Sequence, residues 1–187
     1  MNKMKWMFAA LLLMAGCAVA SAQAKPVEHL TIAQVLDHSL TSVESEFVPA
    51  AEAMPEDKYS FAPTNGEFKG VRTFAQQIKH VAAVNYALGG EILQEKPPAD
   101  TGDESGPASV TNKADIVKYL KDSFAYLHKA LNSINEKNEV GNVKSPFGEG
   151  TMTRLGLAII SISHPFDHYG QMVEYLRLNG IVPPASR

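Results

Sequence analysis

The chain has 187 residues, with 17 Lys and Arg against 20 Asp and Glu, a formal net charge of −3. A mildly acidic chain without a basic cluster lacks the electrostatic footprint of nucleic-acid binding. No internal repeat or long low-complexity run is visible, and the length suits one domain with a substantial core.

The N-terminus reads as an export signal. Lys3 and Lys5 precede an uncharged run from Trp6 to Ala20, and Ala22-Gln23-Ala24 follows as a small-x-small cleavage pattern. The expected organisation is therefore a signal peptide over 1–24 and a mature domain over 25–187. That domain would be periplasmic or secreted. The apolar run is shorter than the roughly 20 residues of a membrane span. A second reading treats Met14-Ala15-Gly16-Cys17 as a lipoprotein signal anchored at Cys17, with Met standing where Leu is usual. Cleavage after Ala24 removes the sole cysteine. Any metal would then be held by His, Asp or Glu.

Four helices are expected in the mature domain. The first spans 31–53, with Thr31 as N-cap and Ile32, Val35, Leu36, Leu40, Val43 and Phe47 at helical spacing. Pro49 could end or kink it, and Pro55 lies beyond it. Residues 54–70 form a loop whose Tyr59, Phe61 and Phe68 should anchor it to the bundle. The second helix covers 71–94 on a stripe of Phe74, Ile78, Val81, Val84, Leu88 and Ile92, with His80 beside the stripe. A polar, Pro/Gly-rich loop follows to Asn112 and should be solvated. Ile116, Tyr119, Leu120, Phe124, Leu127, Leu131 and Ile134 mark a third helix over 113–135. A polar loop over 136–150 leads to a fourth over 151–179, beginning near Thr151 or Thr153 and stopped by Asn179-Gly180 and then Pro183-Pro184. With no convincing strand, the expected fold is all-α, a four-helix bundle.

Ser161 to Gln171 is the most informative stretch. At 100° per residue, Leu157, Ile160, His164, His168, Gln171 and Tyr175 lie within about 40° of one line. Two imidazoles and an amide at the centre of a buried face are costly unless satisfied. With His80 they supply three imidazoles from two helices, enough to hold a divalent ion with a position left open. Zinc, nickel, iron, manganese or cobalt would serve, since imidazole alone is not selective. The bland alternative is that H-x3-H occurs by chance and His80 is a hydrogen-bonded core or surface histidine. Pro165 complicates the geometry: it lacks an N–H and opposes the carbonyl of Ser161. It either restarts the helix at Ser163 or His164, or kinks it and tilts His164 toward His80.

Other side chains carry weaker signals. Asp167, 100° from His168, reads as a surface carboxylate or cap. Gln171 either orients a metal-bound water or a ligand histidine, or makes an interhelical hydrogen bond. Tyr169 and Tyr175 read as rim and core aromatics, and Arg177 as a partner for a carboxylate or for the last carbonyls. His29, His38 and His128 read as solvated. No G-x-S-x-G, P-loop or paired-carboxylate signature is present, so catalytic residues are not assigned and any chemistry belongs to the metal.

Met54-Pro55-Glu56-Asp57-Lys58-Tyr59-Ser60-Phe61-Ala62-Pro63-Thr64, His80, His164 to Gln171, and Tyr175 to Pro184 together resemble the DinB-like (DinB/YfiT) family. The resemblance covers essentially all of the mature chain. It implies an up-down-down-up four-helix bundle, often a homodimer, with a three-histidine divalent metal site at His80, His164 and His168. The family includes metal-dependent thiol transferases and isomerases that use small cytosolic thiols, which an exported protein would not readily meet. The expected function is an exported metal-binding protein, a metal-dependent hydrolase or transferase acting on an unidentified small molecule. The alternative is a non-catalytic metal- or ligand-binding bundle with a stress-related role.

Overall fold

A computed structural model describes residues 29–67 and 69–187. The expected signal peptide, the Cys17 alternative and Phe68 lie outside the described residues. Helix α1 spans Ile32–Ala53, α2 Phe74–Leu93, α3 Lys113–Asn132 and α4 Arg154–Leu178, with strands β1 Asn142–Lys144 and β2 Thr151–Thr153 before α4. No described helix is long and apolar enough to cross a membrane.

Each helix begins where a short polar side chain meets the open N–H groups of the first turn. Thr31 and Thr73 form reciprocal capping boxes with Gln34 and Gln76. Asn112 and Thr153 accept from the backbone N–H of Asp115 and Gly156. The caps place the start of α2 at Phe74 rather than near 71, and make Thr153, one of the two expected starts, the N-cap of α4 at Arg154.

The architecture is the expected all-α four-helix bundle, with one small addition. Residues 136–150, expected as loop only, contain β1, which pairs antiparallel with β2 in the register Asn142↔Thr153, Val143↔Met152 and Lys144↔Thr151. Each strand has three residues, too few for alternation to show in the sequence. Val143 is nonetheless buried in the main core, which ties the hairpin to the bundle.

Both α1 and α2 pack on α3 and on α4, so the two helices carrying His80 and His164/His168 lie side by side. Leu40, Phe47, Ile78, Leu88, Leu120, Phe124 and Leu127 fill the interior, with the rings of Phe47 and Phe124 6.2 Å apart. The 54–70 loop is anchored as its aromatics suggested. Tyr59 is buried against the edge of Phe74 and donates its hydroxyl to the carbonyl of Ala51 at 2.6 Å. Phe61 meets Tyr175 edge-on at 5.7 Å.

Neither internal proline ends its helix. α1 runs past Pro49 to Ala53, and α4 is continuous through Pro165. At Pro165 the missing N–H forfeits one helix bond to Ser161. Both residues are buried, so packing of the ring offsets that loss. The i, i+4 relationship of His164 and His168 therefore survives.

Candidate metal centre

His80 lies about two turns into α2, and its ring meets those of His164 and His168 on α4. The ring centroids are 5.0 Å apart for His80–His164, 4.9 Å for His80–His168 and 4.6 Å for His164–His168. One nitrogen from each ring lies within 4.8 Å of the others, and the Nε2 atoms of His80 and His164 are 3.1 Å apart. A tetrahedral ion held at 2.0–2.1 Å spaces its nitrogen ligands by about 3.3 Å. The cluster is close to that size.

The far side of each ring tests the fit. Nδ1 of His80 donates to the carbonyl of Glu104 at 2.7 Å, and Nδ1 of His168 donates to Oε1 of Gln77 at 2.5 Å. Both rings thereby keep Nε2 as a lone pair, the arrangement found around metal-ligating histidines. Nδ1 of His164 is buried without a partner among the described residues. Without a cation, the three rings share only the one N–H···N contact between His164 and His80, and Nδ1 of His164 stays unpaired, a costly arrangement for a buried cluster. The residues fit a divalent ion.

Burial also sets the charge state. Desolvation is the largest influence on all three rings, lowering His80, pushing His164 down to about 3 and His168 to about 4. Repulsion among the imidazoles and the positive charge of Arg72 act in the same direction on His164 and His168. All three are neutral at pH 7, as ligands must be.

The supporting shell is partly new relative to the sequence reading. Gln77, buried beneath His168, was not singled out there. Its signal was available: it precedes His80 by three residues and so shares that face of α2. Gln171 makes an interhelical bond, accepting from Nε2 of Gln77 at 2.9 Å, and donates to the exposed carboxylate of Asp167 at 3.2 Å. The 94–112 loop is more than a solvated connection. Gly102, Asp103 and Glu104 all adopt positive φ, of 52°, 49° and 65°, and this turn delivers the Glu104 carbonyl to His80. Lys79 and Tyr119 pin the same loop by donating to the carbonyls of Pro107 and Asp100.

Two grooves adjoin the amides that support His168. One, of about 920 Å³, is lined by Arg72, Gln76, Gln77, Lys79, Asp100 and Gln171 among others. The other, of about 600 Å³, is more apolar and includes Phe61, Tyr175 and Leu178; it shares Val71 and Gln171 with the first.

The remaining candidates fall elsewhere. His29 and His38 are exposed, as expected. His128 is not simply solvated. It is clamped between α1 and α3, with Nδ1 2.6 Å from Asp37 and Nε2 3.0 Å from Glu44, because α1 presents two carboxylates seven residues apart to one ring. Arg177 pairs with Glu174, and Tyr175 donates to the carbonyl of Arg72.

The fold has solved relatives. A DinB-like protein from Bacillus cereus ATCC 10987 is 18% identical, with a TM-score of 0.66, covering 80% of this chain and 93% of its own. A conserved protein from Enterococcus faecalis is 17% identical, with a TM-score of 0.64, covering 80% of this chain and 98% of its own. At these identities the likeness concerns fold alone. No curated protein matches in sequence. The sequence model of the DinB superfamily matches residues 39–172, well over half of the chain, in a span that includes all three clustered histidines. This chain belongs to the DinB superfamily.

Proposed function

We propose that the protein is an exported, metal-dependent DinB-like hydrolase or transferase whose divalent ion is held by His80, His164 and His168. The observation that carries the metal reading is the convergence of three neutral imidazoles, one nitrogen of each within 4.8 Å of the others. When bound, such an ion supplies Lewis acidity to a substrate group. The chain's own residues hold the three rings in register: the Glu104 carbonyl and the Gln77 amide fix the Nδ1 protons of His80 and His168. The grooves beside the supporting amides, about 920 and 600 Å³, are of a size for a small molecule, and they are lined by Gln77 and Gln171 rather than by the histidines themselves. Export rests on the charge and cleavage pattern of residues 1–24.

Metal analysis of the protein purified from its native compartment tests the reading, with His80→Ala as control. About one equivalent of zinc, nickel, iron or manganese in the wild type and a trace in the variant are expected. Equal metal in both would remove His80 from the site. N-terminal sequencing should begin at Lys25; a lipid-modified Cys17 would instead show an anchored protein.

A further inference from the structure

We propose that Asp167 is a positioning residue that fixes which nitrogen of His168 faces the metal, acting through the side-chain amides of Gln171 and Gln77. The consequence for metal binding rests on the function proposed above; the tautomer itself is a property of the chain.

The argument follows the direction of each hydrogen bond. An ionised carboxylate accepts and cannot donate. Gln171 therefore meets Asp167 with Nε2, at 3.2 Å, and its Oε1 turns toward α2. Gln77 must answer that oxygen with its own Nε2, at 2.9 Å. What remains of Gln77 is Oε1, an acceptor, 2.5 Å from Nδ1 of His168. The ring must carry its proton on Nδ1, and Nε2 is left as the lone pair. Each amide passes on an orientation, so an acceptor at the surface demands a donor at the buried end.

Reversing the chain shows what is at stake. With both amides turned over, Gln77 would present N–H to Nδ1, and the proton of a neutral His168 would move to Nε2. The ring would then aim an N–H at the centre of the cluster and could not ligate there. Gln77 and His168 are 2% and 6% exposed, so water has little access to repair a wrong orientation at that end. Asp167 and Gln171 are exposed, and the polarity of the chain is set there.

Asp167 also acts on the adjacent His168 directly through its charge, and the test must separate the two effects. Nitrogen-15 NMR of the metal-free protein at about pH 7.5, where His168 is neutral, reports the tautomer. The wild type should show the Nδ1–H form. Asp167→Ala and Gln171→Met should both populate the Nε2–H form, the second with the charge of Asp167 intact. Zinc Kd should rise about threefold to tenfold in each variant. That rise should vanish in a Gln77→Glu background, where a carboxylate holds the Nδ1 proton whichever way Gln171 faces. An unchanged tautomer in Asp167→Ala would overturn the proposal. So would a response to Asp167→Ala with none to Gln171→Met, which would assign the effect to charge alone. A protein that bound no zinc would defeat the metal reading, while the metal-free spectra would still decide the relay.

Discussion

The Nε2 atoms of His80 and His164 face each other at 3.1 Å across the α2–α4 interface. Among the described residues that contact is the one hydrogen bond either Nε2 makes, and Nδ1 of His164 has no partner. A cation between the rings would take both Nε2 atoms as ligands, where the single N–H···N bond uses only one as an acceptor.

Metal should accordingly stabilise the folded state. An ion bound only to the native protein contributes about 2.7 kcal/mol at a hundredfold excess over Kd. Thermal unfolding with chelator and with added zinc should show a metal-dependent rise in Tm for the wild type. His168→Ala should lose that rise while keeping its helical content, because the apolar core does not depend on the cluster. An identical metal response in both proteins would exclude His168 as a ligand.

The same histidines set a sign for pH. Their folded-state pKa values lie below the ordinary 6.5, at about 3 for His164 and about 4 for His168. Below pH 6.5 the unfolded chain takes up protons that the native state refuses, so the metal-free protein loses stability as pH falls from 6.5 toward 4. Proton competition with metal should likewise set in below pH 6.5, since all three rings are held below that value. Chemical denaturation and zinc titration between pH 4 and 8 check both; affinity that already fell between pH 8 and 7 would contradict the buried, neutral cluster.

His128 should behave in the opposite way. Its hydrogen bond to Glu44, and after it the one to Asp37, raise its pKa above 6.5, while the bond to His128 lowers that of Asp37 below 3.8. The clamp's stabilisation is fully present below pH 6.5 and is lost as pH rises through the folded pKa of His128. It is lost again as pH falls through that of Asp37. His128→Ala leaves two carboxylates without the cation between them and should cost about 1–2 kcal/mol at pH 6 and less at pH 9. A loss independent of pH would mean the ring contributes packing only.

Gly102 tests the loop. Its φ is +52°, and an added Cβ would lie 2.3 Å from the carbonyl oxygen of Gly106. Gly102→Ala should open the 101–106 turn and release the Glu104 carbonyl from His80, weakening zinc binding about tenfold while melting of the bundle changes little. Glu104→Gly should leave affinity unchanged, since the bond is made by the main chain. A Gly102→Ala protein with wild-type affinity would show that His80 needs no such support.

The sequence by itself determined the four helices, the buried stripes that pair them and the histidines that share a face. These follow from periodicity, from Thr and Asn caps, and from side chains within a turn of one another. His164 and His168 were legible as a pair for that reason; His80 was a candidate third imidazole on another helix, and its assignment as their partner came from family resemblance rather than spacing. Tertiary structure alone decided the rest. Pro165 stays within α4 because the surrounding core holds the helix where local bonding would release it. Gln77, Glu104 and the Asp37–His128–Glu44 clamp depend on partners 24 to 94 residues away, as in Gln77–Gln171, His80–Glu104 and His128–Glu44. Local pattern records which face a side chain occupies; only the packed bundle decides what that face meets.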